Sequence, residues 1–327
     1  MRHSPLGAAA VLLLAACSTG PGSTTSSTST SDTADTAYVS VVKTVGPSVV
    51  EIQTTSGLGS GVVFNGQGDV VTNAHVVGSE QRFVVLTSDG KRLNATLVGA
   101  YPPDDLAVVR VSGGNLKPAK FADSSKATVG QIVLAIGSPL GLQSSVTQGI
   151  VSATNRVVSE GSGITLPDAI QTSAAINPGN SGGALVDMDQ QVLGIPTLAA
   201  LTPDSGAPAP GIGFAISSNR AYDIAGQIAQ YGRVVNSHRA YLGVQTVPTT
   251  ADGVLVAGVV AGGPADRAGI RVGDLITSVA GTPTPTPGEL SKVLATKAPG
   301  DKVQVALVRA DGSHATVSVT LGELPGA

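Results

Sequence analysis

Asn177-Pro178-Gly179-Asn180-Ser181-Gly182-Gly183-Ala184-Leu185 sets one serine among glycines, directly ahead of an apolar run. Glycine lets a backbone turn sharply and aim its N–H groups at one point. A serine nucleophile needs that setting, because a base must take its proton and N–H donors must hold the oxyanion formed on attack. The amides of Gly179 and Ser181 are the candidate donors. Alone, a Gly-x-Ser-Gly-Gly string is equally an ordinary turn, so its meaning depends on partners elsewhere.

The base must be one of four histidines. His3 lies in the N-terminal apolar segment, His238 in a polar stretch and His314 beside an Asp-Gly turn, which leaves His75. It sits in Val71-Thr72-Asn73-Ala74-His75-Val76-Val77, at the end of an apolar strand, where a rigid scaffold can aim an imidazole into a cleft. A carboxylate should fix the tautomer of that imidazole. Asp105, opening Asp105-Leu106-Ala107-Val108-Val109-Arg110-Val111, and its neighbour Asp104 fit equally well by pattern.

Around these residues, Val/Ile-rich runs at 49–54, 61–64, 70–72, 83–86, 106–111 and 132–136 alternate with Gly, Asn and Asp turns. No long helical period precedes Asn219, so a mostly β fold, a barrel or a sandwich, is expected. Apolar residues at Ala221, Ile224, Ala225, Ile228 and Ala229 then follow helical spacing, and polar residues 232–239 suggest a boundary near Ser237. At 327 residues the chain exceeds one ordinary core, and two domains are expected. Charged residues make up only 13% with net charge −3 and no basic run, which argues against nucleic acid as a partner. No His/Asp/Glu spacing suits a metal, so neither a metal nor another cofactor is expected, and a metal-dependent hydrolase is discounted.

The N-terminus has export layout: basic Arg2, an apolar stretch over 6–16, and small residues before Cys17. About 11 apolar residues fall short of the ~20 that span a bilayer. Cys17 is the single cysteine, so no intrachain disulfide can form. Leu14-Ala15-Ala16-Cys17 resembles the lipobox of bacterial lipoproteins, which implies acylation of Cys17 and a membrane anchor on the outer face of the cytoplasmic membrane or in the cell envelope. Residues 18–37, mostly Ser, Thr, Gly, Pro, Ala and Asp, are expected to be a disordered tether, with folding beginning near Tyr38.

Taken in order, Thr72-Asn73-Ala74-His75-Val76-Val77, Asp105-Leu106-Ala107-Val108-Val109 and Gly179-Asn180-Ser181-Gly182-Gly183 resemble the HtrA family of trypsin-like serine proteases. The likeness runs from about Ser48 to Ser217 and includes Ala135-Ile136-Gly137-Ser138-Pro139 and Ala174-Ala175-Ile176-Asn177-Pro178. It implies a chymotrypsin-like double β-barrel over 38–236. It also implies His75 as general base, Asp105 rather than Asp104 as its orienter, Ser181 as nucleophile, and an oxyanion hole from the amides of Gly179, Asn180 and Ser181. Two positions depart from the family pattern: Ser173 stands where many members have Asp, and Ala184 where many have Pro. The position six before the nucleophile, at the base of the trypsin-like pocket, is Ala175, so no carboxylate attracts Lys or Arg there. Ile212, Gly213 and Phe214 resemble the pocket-lining strand, which implies cleavage after small to medium apolar residues; a buried barrel strand is the plain alternative.

Tyr241-Leu242-Gly243-Val244, Gly263-Pro264-Ala265-Asp266-Arg267-Ala268-Gly269-Ile270 and Val272-Gly273-Asp274-Leu275-Ile276 resemble a PDZ domain, α+β, over 240–323. That implies a carboxylate-binding loop at Tyr241, Leu242, Gly243 and Val244, flanked by the following strand and a helix over 288–296. Residues 282–287, alternating Thr and Pro, read as a stiff loop before that helix. The resemblance further implies unfolded or C-terminally exposed polypeptides as substrates, envelope quality control, and assembly of three copies. A tethered peptide-binding or chaperone-like protein that hydrolyses little is the competing expectation.

Overall fold

Helix α1 (Thr30–Val45) opens the ordered chain in the computed structural model, which describes residues 30–326 apart from 56, 139–144, 160–163, 178, 202–207 and 248. This helix corrects two expectations, a disordered tether reaching residue 37 and no long helix before Asn219. Val41 and Val45 are buried and Tyr38 and Val42 pack beside them, a stripe at helical spacing that joins the same core cluster as Val49 and Leu106. Once that stripe nucleates the helix, each further turn costs little, so the helix extends back into the Ser/Thr-rich segment.

Six antiparallel strands close the first barrel in the order β1-β2-β3-β6-β5-β4. These are β1 (Val49–Gln53), β2 (Leu58–Val63), β3 (Asp69–Thr72), β4 (Arg82–Leu86), β5 (Arg92–Tyr101) and β6 (Leu106–Val111), with the one-turn helix α2 (Ala74–Val77) after β3. The second barrel, ordered β10-β11-β12-β9-β8-β7, uses β7 (Ile132–Gly137), β8 (Ser145–Ser159), β9 (Thr165–Thr172), β10 (Ala184–Asp187), β11 (Val192–Leu201) and β12 (Pro208–Ser217). The expected chymotrypsin-like double barrel is therefore present.

Continuous apolar strands such as β6 are buried on both faces. Ala107, Val109 and Val111 fill the first barrel, whereas Leu106 and Val108 join Leu134, Ile136, Ala184 and Ile195 in a cluster between the barrels. Side chains alternate faces along a strand, so one sequence run serves both cores. Helix α3 (Ser218–Tyr231) seals that cluster with Ala221, Ile224, Ala225 and Ile228, and ends on Gly232 in the left-handed region at φ 72°.

A separate core, built on Leu242, Val254, Ile276, Leu290, Val305 and Val319, belongs to the C-terminal region. Its sheet runs β14 (Val244–Val247), β15 (Val254–Val259), β16 (Leu275–Val279), β18 (Lys302–Val308), β19 (His314–Thr320). The short β17 (Thr282–Pro283) pairs with β16, so the first two residues of the expected stiff loop extend the sheet instead. Strand β13 (Ala240–Tyr241) pairs with β20 (Gly322–Glu323). Helices α4 (Pro264–Arg267) and α5 (Pro287–Ala295) complete the unit, α5 being capped by Thr286 Oγ1, which accepts from Glu289 N–H at 3.2 Å.

Candidate active site

The register of β3 on β6 pairs Thr72 with Ala107, so the chain leaving β3 and the chain entering β6 meet at one end of the first barrel. His75 lies on α2, just past the strand on which the sequence suggested it, and Asp105 lies two residues before Ala107. Asp105 is fully buried, and its carboxylate accepts three hydrogen bonds. His75 N–H reaches Oδ1 at 3.0 Å, His75 Nδ1 stands 2.8 Å from Oδ2, and Thr197 Oγ1 donates to Oδ2 at 2.6 Å. With Nδ1 donating to the carboxylate, Nε2 is the unprotonated nitrogen of the imidazole, the one able to act as a base. The imidazole side chain is 43% exposed, open enough to meet a substrate.

Asp105 occupies the left-handed region at φ 51°, ψ 41°, closing the 3-10 turn Pro102–Asp104. Asn73 Nδ2 steadies that turn by donating to the Asp105 carbonyl at 2.9 Å. Asp104, the alternative by pattern, is buried but paired elsewhere: Arg220 Nε donates to it at 2.8 Å and Arg239 Nη1 at 3.0 Å. Burial, helped by the Asp104 charge, raises the pKa of the nearby Tyr101 phenol above its ordinary value of 10.0.

Ser181 comes from the second barrel, in the turn before β10. Gly179 and Gly182 hold positive φ at 99° and 81°, conformations that favour glycine. A Cβ on Gly182 would collide with the Ser60 carbonyl and Thr72 Oγ1. Ser60, on β2, ties the serine turn to the first barrel: its N–H donates to Ser181 O at 2.9 Å and its Oγ to Gly179 O at 2.5 Å. Among the described residues neither the Gly179 nor the Ser181 N–H donates a hydrogen bond. The Asn180 N–H, by contrast, closes a turn on Asn177 O at 3.0 Å, which removes it from the expected three-amide oxyanion hole. Ser181 Oγ donates to Thr197 O at 2.9 Å, so in this arrangement its single proton is held by β11.

Ile212, Gly213 and Phe214 lie on β12, which pairs with β9 and β11. Ala175 is exposed, and Ile176 turns inward beneath Gly213, where an added Cβ would sit 2.5 Å from Ile176 Cγ1. The two family departures are accommodated: Ser173 Oγ accepts from Ile150 N–H at 3.0 Å, and Ala184 is buried opposite Ile136. In the C-terminal unit, Tyr241 ends β13, Leu242 is buried, Gly243 has φ 82° and Val244 starts β14. The Leu242 and Gly243 carbonyls accept from Ala265 N–H at 2.9 Å and Val260 N–H at 3.0 Å. Cys17, residues 18–29, Pro139 and Pro178 lie outside the described residues.

Residues 59–195 match the family described as trypsin-like peptidase domain, and residues 240–321 match PDZ domain. The chain is 40% identical to serine protease PepD of Mycobacterium tuberculosis over 342 residues, covering 98% of this chain and 70% of PepD. It is 39% identical to serine protease Do-like HtrA of Lactococcus lactis, covering 82% of this chain and 71% of that protein. The chain belongs to the HtrA family of serine proteases. It also matches the solved HtrA-type protease AlgW with decapeptide, at 31% identity and TM-score 0.62, covering 88% of this chain and 99% of AlgW. A DegP-like periplasmic serine endoprotease of Pseudomonas putida is 39% identical, although the chain spans only 56% of its length. As an HtrA protein the chain is a serine endopeptidase.

Two contributors to this HtrA site carried no signal in the sequence. Thr197 is one polar residue in the otherwise apolar strand β11, and only the packing of the second barrel against the first brings it to Asp105. Ser60 looks like a small strand residue until its hydrogen bonds across the barrels are seen.

Proposed function

We propose that His75, Asp105 and Ser181 form the catalytic triad of an envelope endopeptidase. The observation that carries this reading is the Asp105 carboxylate, held by His75 Nδ1 and by Thr197, whose carbonyl in turn holds Ser181 Oγ. Rotation about χ1 moves the Ser181 hydroxyl from Thr197 O towards His75 Nε2. His75 takes its proton as Oγ attacks the scissile carbonyl, and the Gly179 and Ser181 amides receive the oxyanion. The imidazolium, offset by Asp105, returns the proton to the leaving amine; water then repeats the sequence on the acyl-enzyme.

Ile212, Gly213 and Phe214 would line the substrate pocket, but Gly213 and Phe214 already pair with both β9 and β11, so a substrate backbone would have to displace one of these neighbours. Ala175 brings no carboxylate to attract a basic side chain, which favours Val, Ala or Leu before the cleaved bond. Polypeptide C-termini would add a strand along β14, with Tyr241, Leu242, Gly243 and Val244 supplying amides to the carboxylate. The ties on the Leu242 and Gly243 carbonyls support that role, since they remove acceptors that would repel an anion. The periplasmic naming of relatives supports an envelope location. Export with acylation at Cys17 rests on Leu14-Ala15-Ala16-Cys17, and assembly of three copies rests on the family likeness.

The second reading, a peptide-binding protein that hydrolyses little, is favoured by the Ser181 hydroxyl resting on Thr197 O. Digestion of unfolded casein by the chain and by Ser181→Ala separates the two. Cleavage by the native chain alone supports the protease reading. No cleavage by either supports the binding reading, and equal cleavage by both removes Ser181 as nucleophile.

A further inference from the structure

The segment joining the two domains reaches into the protease. Arg239, one residue before β13, has a side chain only 13% exposed. Its Nη1 donates to Asp104 Oδ1 at 3.0 Å and also to the Pro103 carbonyl, and its Nη2 donates to Thr165 O at 2.9 Å. Pro103 and Asp104 form the 3-10 turn that ends on Asp105. Thr165 begins β9, which pairs with β12 in the barrel that carries Ser181. A single guanidinium therefore bridges the barrel of His75 and Asp105 to the barrel of the nucleophile.

Its own position is set from the C-terminal side. Leu324 N–H donates to Arg239 O at 2.8 Å, Ser237 Oγ donates to Leu324 O at 2.7 Å, and β13 pairs with β20. Leu324 also packs against the cluster between the barrels.

We propose that Arg239 is a positioning residue for the triad, acting through Asp104 on the turn that aims Asp105 at His75. Asp105 holds a left-handed conformation, which Asp enters more readily than most residues but which still costs more than the ordinary backbone regions. The fork of Arg239 restrains the preceding turn at two points, and Arg220 holds the other Asp104 oxygen.

The inference rests on the triad assignment. Its test uses the full chain, with Ser181→Ala in the same assay. Arg239→Ala leaves Arg220 on Asp104, so the protein keeps a counter-charge. The expected result is a fall in kcat on the order of 10- to 100-fold with KM changed less than about twofold, and Arg239→Lys in between. The low-field proton resonance of His75 Nδ1–H should shift or broaden while the dispersed amide spectrum persists. Asp104→Asn should act in the same direction, and the double variant should be no worse than the more severe single one. Unchanged kcat and resonance in Arg239→Ala, a fall in kcat matched by the unfolded fraction, or additive losses in the double variant would each overturn the positioning role. Undiminished cleavage by Ser181→Ala would instead overturn the triad reading beneath it.

Discussion

Thr197 and Asp105 are joined across the two barrels by a 2.6 Å hydrogen bond, and the same threonine accepts the Ser181 hydroxyl on its carbonyl. Its side chain thus orients the carboxylate while its main chain holds the nucleophile.

Thr197→Val keeps the β-branched shape and the carbonyl but removes the donor. A lost hydrogen bond to a charged group costs about 1.5–3 kcal/mol. If that cost falls on the transition state, kcat drops roughly 10- to 100-fold, with a circular dichroism spectrum like that of the native chain. Steady-state kinetics on a peptide ester checks this.

Gly182→Ala places a methyl group against the Ser60 carbonyl and Thr72 Oγ1 at a positive φ. The serine turn must shift, and with it the tie from Ser60 N–H to Ser181 O. Loss of at least about 2 kcal/mol of stability and of nearly all activity is expected, read by urea unfolding and casein digestion.

Burial raises the pKa of the Asp187 carboxyl above its ordinary 3.8, against the opposing hydrogen bond from Gln191 N–H. A folded value above the unfolded one means that stability is lost as pH rises from about 4 through the folded value. Asp187→Asn removes that loss, so its melting temperature relative to the native chain should rise between pH 3.5 and pH 7. A constant difference across that range would contradict the shift.

Helix α1 is held by Val41 and Val45, each about 1.5–3 kcal/mol of apolar burial. Removing residues 30–45 should lower the melting temperature and raise binding of a hydrophobic dye, since the cluster between the barrels would lose its cover.

The barrels were legible through β1 to β4, β6 and β7, which are short apolar runs between turns, whereas the longer β5 and β8 mix polar residues into the strand and give no such signal; the serine turn was legible because its glycines stand together in sequence. The choice between Asp104 and Asp105 was not legible from pattern, since both open the same strand; buried pairing with Arg220 and Arg239 separates them in space. Helix α1 escaped because its polar first half masks the stripe of Tyr38, Val41, Val42 and Val45. Asn180 looked like an oxyanion donor because a sequence does not show which amides close the turn. Thr197 escaped because its role depends on a contact 92 residues distant.

Catalysis depends on Ser181 as the nucleophile and His75 as its base. Treating the chain with a fluorophosphonate during casein digestion, and mapping the adduct by mass spectrometry, tests it directly. One adduct per chain is expected, on Ser181, abolished in Ser181→Ala and strongly slowed in His75→Ala. An adduct on another residue, or equal labelling in His75→Ala, would overturn these assignments.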